Sequence, residues 1–258
     1  MKGSFLLSVS ALWRREMLRF VRQRSRIVGA FASPLIIWLL LGFGVGTSFS
    51  DTTQVRAMGY QEYFFPGTVL MILLFTSIFS TISIIEDRKE GFLQAVLVAP
   101  VPRSALVFGK LLGGTSLALM QGVLFMLMAP LVGIPMTRIP ETLLMLTLVA
   151  FGLTALGYVI AWKMDSTQGF HAIMNLFLIP MWLLCGAVFP ASGAPGWLRV
   201  VMGLNPLTYG MSVVRWSIYG ADVASTMGIP GFGLSLGITV AFAFFVFAAA
   251  ISMTRRPA

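Results

Sequence analysis

The sequence predicts an all-α, polytopic membrane protein: six transmembrane helices, an N-terminal interfacial amphipathic helix, and short re-entrant helices between spans five and six. Composition is the first reason. Hydrophobic residues make up 57% of the chain and charged residues 10%, with a mean hydropathy of +0.89; soluble domains run at about 45–50% and about 25%. The second is that six segments reach the roughly 17–25 apolar residues needed to cross a ~30 Å hydrocarbon core. The third is that basic residues gather on alternate connections. Those connections are short, so residues 1–258 read as one transmembrane domain.

The net charge of +9 does not point to nucleic acid. Seven of the 18 basic residues precede the first span (Lys2, Arg14, Arg15, Arg19, Arg22, Arg24 and Arg26), which is the positive-inside pattern, with anionic lipid as the implied partner. The single cysteine, Cys185, lies in an apolar span and can form neither an intrachain disulfide nor a thiolate metal cluster. The first apolar stretch is too long for a signal-peptide core and ends without a small-residue cleavage site, so no cleavable signal is expected.

The first element, within 1–26, repeats Phe5, Val9, Leu12, Trp13, Met17 and Phe20 at helical spacing, with Arg15, Arg19, Arg22 and Arg26 on the other side. Glu16, Leu18 and Arg24 disturb the pattern. Such a helix is expected in the membrane interface, apolar face in the acyl boundary and arginines at the headgroups. The alternative is a plain basic tail that sets topology.

Span one covers 27–46, with Pro34 near its inner end. Its glycines, Gly42, Gly44 and Gly46, either permit close helix approach or simply fray the end. A polar outer loop with Asp51, Arg56 and Glu62 follows. Span two, 64–85, carries Thr68, Thr76, Ser77, Ser80, Thr81 and Ser83. These hydroxyls can bond other helices, line a polar path, or return to their own backbone. Spans three, four and five cover 111–132, 143–162 and 170–189, and span six covers 232–253.

Residues 190–230 form an outer region too apolar for a free loop. Trp197, Leu198, Val200, Val201 and Leu204 make one short run and 207–219 another, interrupted at Asn205-Pro206. Runs of this length suit re-entrant or interfacial helices, with a turn tolerable only inside protein or against water.

With both termini placed in the cytoplasm, 14 of the 18 cations fall on inner segments. Only Arg56, Arg138, Arg199 and Arg215 fall outside. The segment 86–110 is then cytoplasmic. It opens on five consecutive charged residues, Glu86, Asp87, Arg88, Lys89 and Glu90. Gly91 allows a bend. Phe92, Leu93, Val96 and Leu97 then share one helical face, and Pro100 and Pro102 stop the helix. A short helix with an apolar face fits a groove on a partner; alternatively the charges are a solvated turn and the apolar face rests on lipid.

Between their ends the expected spans contain no Asp, Glu, Lys or Arg. Ion-coupled transporters normally keep ionisable groups near the midplane, and here only His171, close to an inner span end, can titrate. The chain has no HExxH, GxSxG or GxxxxGK[ST] pattern and one histidine in all. Catalysis and nucleotide hydrolysis on this chain are therefore not expected, and transport would draw its energy from another protein.

Four features together resemble the ABC-2 family of transport permeases. They are the basic segment running into a proline-containing first span (RREMLRFVRQRSRIVGAFASPLIIWLLLGFGVG), the block EDRKEGFLQAVLVAPVPRSALVFGKLLGG after span two, NPLTYGMSVVRW before the last span, and the size with six spans. The resemblance implies a permease subunit of an ATP-driven exporter, with a second permease copy and two separate cytoplasmic ATPase subunits that bind ATP and magnesium, no cofactor being held on this chain. It implies a cytoplasmic coupling helix within 86–104, including Arg103, and re-entrant helices turning at Asn205 and Pro206. Thr76, Ser80, Ser83, His171 and Asn175 are the expected lining of a path for a hydrophobic or amphipathic cargo (drug-like, lipid or glycan). A membrane scaffold recruiting a non-ATPase cytoplasmic partner is the alternative; a lipid-modifying enzyme using His171 is a weaker third reading.

Overall fold

The computed structural model describes residues 2–22, 24–44, 59–134 and 136–255, and these are almost entirely helical. Five helices are long and apolar enough to cross a membrane among the described residues: Tyr60–Lys89, Arg103–Met126, Ile139–Trp162, Thr167–Ala187 and Phe232–Arg255. The expected first span lies in a sixth helix, α2 (Arg24–Gly44), whose apolar described part is Ala32–Gly44. Gly46, Asp51 and Arg56 lie outside the described residues.

The bundle is built around the second span. Its helix, α3 (Tyr60–Ser80), is hydrophobic all round, and every side chain from Tyr63 to Leu74 is buried. That is the expected fate of a helix without a polar face. Around it pack α2, α6 (Arg103–Met126), α7 (Ile139–Trp162) and α8 (Thr167–Trp182). Small residues permit the approach: a Cβ on Gly114 of α6 would lie 2.4 Å from Ser80 Oγ and 2.6 Å from the Thr154 methyl, so three helices meet there. α11 (Phe232–Arg255) packs on α7 and on α10 (Pro206–Thr226) and turns most of its surface outward.

Three of the six hydroxyls on the second span serve their own helix. Thr68, Ser80 and Thr81 donate to the carbonyls of Phe64, Ser77 and Ile78. Two cross to α6: Thr76 donates to Gln121, and Ser83 accepts from Lys110.

The N-terminal helix, α1 (Lys2–Arg22), departs from expectation. Its apolar face is not left to lipid: Val9, Leu12 and Phe20 are buried, Phe5 packs edge-on against Phe108 at 5.9 Å, and Trp13 Nε1 donates to Ser116 Oγ. Glycines again set the fit. A Cβ on Gly109 would lie 2.6 Å from Leu12 Cβ, and one on Gly113 2.8 Å from Glu16 Cβ. A second apolar group, Leu6, Leu7, Leu18 and Val21, stays exposed beside Arg14 and Arg22, so only that side of α1 has the expected interfacial character.

At the far end α8 breaks into a single π-helical turn, Leu183–Ala187, with Gly186 at φ +84°, a left-handed conformation that favours glycine. The chain returns through α9 (Gly196–Leu204) and α10 (Pro206–Thr226). Asn205 makes the turn between them: its side-chain oxygen accepts from Leu207 N–H at 3.0 Å and its amide donates to the Met181 carbonyl at 2.6 Å. Pro206 then occupies the first helical position, where its missing N–H costs nothing. Gly220, at φ +77°, breaks α10, so its first stretch, 206–219, falls on the expected apolar run 207–219. That stretch is deeply set, with Met211, Ser212, Val213, Val214 and Arg215 all buried.

Candidate coupling site and apolar cleft

The second-span helix does not stop at residue 85. It kinks at Thr81 and continues as α4 (Ile82–Lys89), giving a run of 30 residues. At 1.5 Å per residue that is about 45 Å, some 15 Å more than the hydrocarbon core. If Tyr60 marks one boundary, a 30 Å span ends near Ser80, and α4 projects beyond it. The third-span helix likewise begins eight residues earlier than expected, at Arg103. Two helix ends therefore project together, and the charged stretch belongs to them rather than to a separate loop.

Its five charges have different partners. Asp87 is fully buried; Arg15 grips it through two bonds, Nη2 to Oδ1 at 2.6 Å and Nη1 to Oδ2 at 3.0 Å. Arg19 adds a third at 2.9 Å and reaches Glu86 at 2.9 Å and Glu90 at 3.3 Å. Lys110 of α6 pairs with Asp87, donates to Ser83 Oγ at 3.0 Å, and meets Glu16 of α1 at 2.6 Å. Burial works against the Arg15 guanidinium, yet the adjoining Asp87 carboxylate outweighs it and holds the pKa above its ordinary value. The charges were expected in a segment that docks a partner or as a solvated turn; Asp87 instead faces inward, because three cations from two other helices converge on it. Only Lys89 and Glu90 of the five are exposed.

Arg88 turns the other way. Its Nη1 donates to Asp165 at 2.8 Å and to the Met164 carbonyl at 3.2 Å, its Nη2 donates to the Trp162 carbonyl, and the guanidinium lies 5.7 Å from the Trp162 ring centroid. Arg103, at the start of α6, donates to the carbonyls of Arg255 at 2.9 Å and Thr254 at 3.3 Å.

Between these two arginines lies α5 (Phe92–Val98), the expected coupling helix. Gly91, at φ +76°, makes the turn into it. The apolar face does not await a partner. Leu93 is buried with Leu12 and Leu106; Phe92, Val96 and Leu97 pack on the same cluster, and Arg15 sits 3.7 Å above the Phe92 ring. Gln94, Ala95 and Val98 form the outward side with Pro100 beyond them, Val98 at 86% exposure. The chain thus anchors α5 with the residues expected to dock it, leaving a different face free.

Three of the five expected path residues come together. Thr76, Ser80 and His171 line a cleft of about 340 Å³ with Phe20, Pro34, Phe75 and Phe79. His171 packs against Phe79 at 4.8 Å. Ser83 is instead committed to Lys110, and Asn175 is exposed on α8, outside this lining.

Sequence reasoning missed the partners. Arg15 and Arg19 were expected at the lipid headgroups, Glu16 only as a disturbance of the pattern and Lys110 only among the inner cations, although Glu16, an acid on the apolar side of α1, already signalled a buried cation opposite. Arg215, assigned to the outer cations, is 1% exposed inside the protein.

Helices long and apolar enough to cross a membrane, a projecting helical elbow at one end and a broken span at the other define a multi-pass helical membrane protein. The sequence model of the ABC-2 type transporter family matches residues 8–219, and the chain belongs to that family. It is 24% identical to the putative transport permease ycf38 of Cyanophora paradoxa over 216 residues (82% of this chain, 74% of the relative). It is 26% identical to Nodulation protein J of Sinorhizobium fredii (strain NBRC 101917 / NGR234) over 233 residues (89% and 85%). It is also 23% identical over 247 residues (92% and 83%) to the daunorubicin resistance ABC transporter permease protein DrrB1 of Streptomyces coeruleorubidus.

Proposed function

We propose that this chain is the permease of an ATP-driven exporter in the cell membrane, with both termini cytoplasmic and α5 docking a separate ATPase. One observation carries the reading. α5 is fixed from behind by Leu12 and Leu106, on which its Leu93 packs, while Gln94, Ala95 and Val98 face outward. A short helix held rigidly on two projecting span ends suits receipt of force better than binding of a small ligand. The name of the Streptomyces relative, an ABC transporter permease, supports the same direction.

In this reading two ATPase subunits hold ATP and magnesium, and a second permease copy completes the transporter. Lys89, Glu90 and Pro100 flank the docking face, and Asp87 stiffens it from within. The cargo is hydrophobic or amphipathic (drug-like, lipid or glycan) and contacts the cleft of Thr76, Ser80 and His171, whose other walls are aromatic and aliphatic apart from Ser33. Exposed Leu6, Leu7, Leu18 and Val21 with Arg14 and Arg22 rest on anionic lipid.

Affinity purification of the full chain from native membranes tests the reading. A Walker-motif ATPase should co-purify, and its ATP turnover should change on assembly. A stable complex with a non-ATPase protein alone would replace this reading with a membrane scaffold.

A further inference from the structure

We propose that Arg88 and Arg103 are positioning residues that carry movement of α5 into two spans not joined to it by the chain, α7 and α11. The proposal rests on the coupling reading above and extends it from where force arrives to where it goes. Through its own backbone, α5 can move only α4 and α6.

The last carbonyls of a helix have no partner within it, and that end carries the negative pole of its dipole. At the end of α7 the acceptors are the Trp162 and Met164 carbonyls with Asp165 alongside, and the donor is Arg88. At the end of α11 they are the Thr254 and Arg255 carbonyls, and the donor is Arg103. One donor stands just before α5 and the other just after it. Each belongs to a helix that α5 must drag if it shifts. Charge-assisted bonds from a planar guanidinium fix direction as well as distance, so they resist the sliding that apolar contacts alone permit. Tyr158 and Thr254, hydrogen-bonded at 2.9 Å, tie α7 to α11 close by, so the two ends are coupled to each other as well.

The two arginines also differ in kind from their neighbours. Arg15, Arg19 and Lys110 compensate buried acids, and losing one of them disturbs the fold. Arg88 and Arg103 reach carbonyls at the edge of the protein, where water can take their place. The fold should therefore survive their loss, while the transmission should not.

The test uses the full permease with its co-purified ATPase in lipid nanodiscs and a Cys185→Ala background. Nitroxide pairs report from Val98 on α5, Lys163 after α7 and Ser252 on α11, each measured against Leu204 at the opposite end. Distances are compared without nucleotide and with ATP plus vanadate. The unsubstituted arginines should give a shift at all three positions. Arg103→Ala should keep the Val98 shift and lose the Ser252 shift; Arg88→Ala should keep the Val98 shift and lose the Lys163 shift. Arg103→Lys, still able to donate to carbonyls, should restore part of the response at Ser252. Full shifts at Ser252 and Lys163 in the alanine variants would overturn the proposal while leaving the docking reading intact. No shift at Val98 in any form, with the ATPase bound, would overturn the docking reading itself.

Discussion

The two ends of the bundle both bury cations, and they neutralise them differently. At the projecting end, Arg15 and Lys110 surround the Asp87 carboxylate, with Glu16 shared by both. At the opposite end, Arg215 has no carboxylate within ion-pair distance among the described residues. It donates to the carbonyls of Gly186 at 2.9 Å and Tyr63 at 3.4 Å, and lies 4.2 Å from the Tyr63 ring centroid. Tyr63 Oη donates to the same Gly186 carbonyl at 2.9 Å. The carboxylate network joins α1, α4 and α6, which can separate only by exposing charge. The carbonyl clamp holds one break in one span against its neighbour. The first arrangement ties three movable elements into one body; the second secures a local irregularity.

That contrast fails most visibly if Asp87 is removed. Asp87→Ala leaves the buried Lys110 and the half-buried Arg15 to share the single Glu16 carboxylate, a loss of about 3–5 kcal/mol. Its melting temperature in detergent should fall well below that of every variant below. The double variant Asp87→Ala, Lys110→Met should recover much of the loss, since deleting both charges removes the uncompensated one.

Next comes the packing that brings the charges together. Gly109→Ala places a methyl 2.6 Å from Leu12 Cβ, where α1 must move away from α6. Overpacking of this kind costs about 1–3 kcal/mol, and limited proteolysis should cut α1 free earlier than in the unaltered protein.

The far-end clamp should give a comparable or smaller effect. Arg215→Met keeps most of the volume but leaves the Tyr63 carbonyl and one of two bonds to Gly186 unmade, about 1–3 kcal/mol. Amide exchange should rise at 183–187 and stay unchanged at 82–89. Faster exchange at both ends would mean that they are one cooperative unit, contrary to the distinction drawn here.

The same contrast marks what the sequence reveals. Long apolar runs carry their own evidence, so the spans after the first are legible to within a few residues, apart from the third, which starts early because Arg103 and Lys110 continue a helix. Asn205-Pro206 is legible too, since a capping side chain and a first-turn proline act locally. Asp87 is not. Its environment depends on Arg15, 72 positions away, and Lys110, 23 away, and no periodicity encodes such a meeting. The apolar face of α5 was found correctly, but a sequence cannot say whether such a face meets its own chain or another. Leu12 and Leu106 decide that here.

Whether the outward side of α5 is the docking surface can be read by site-specific cross-linking. With Cys185→Ala as background, Val98→Cys and Trp197→Cys give single thiols at the two ends, both on exposed positions. Such surface changes should alter stability by no more than about 0.5 kcal/mol. In native membranes, a thiol-reactive photocross-linker at Val98 should capture the ATPase and the same reagent at Trp197 should not. ATPase captured from Trp197, or an assembled complex in which Val98 captures none, would contradict the account.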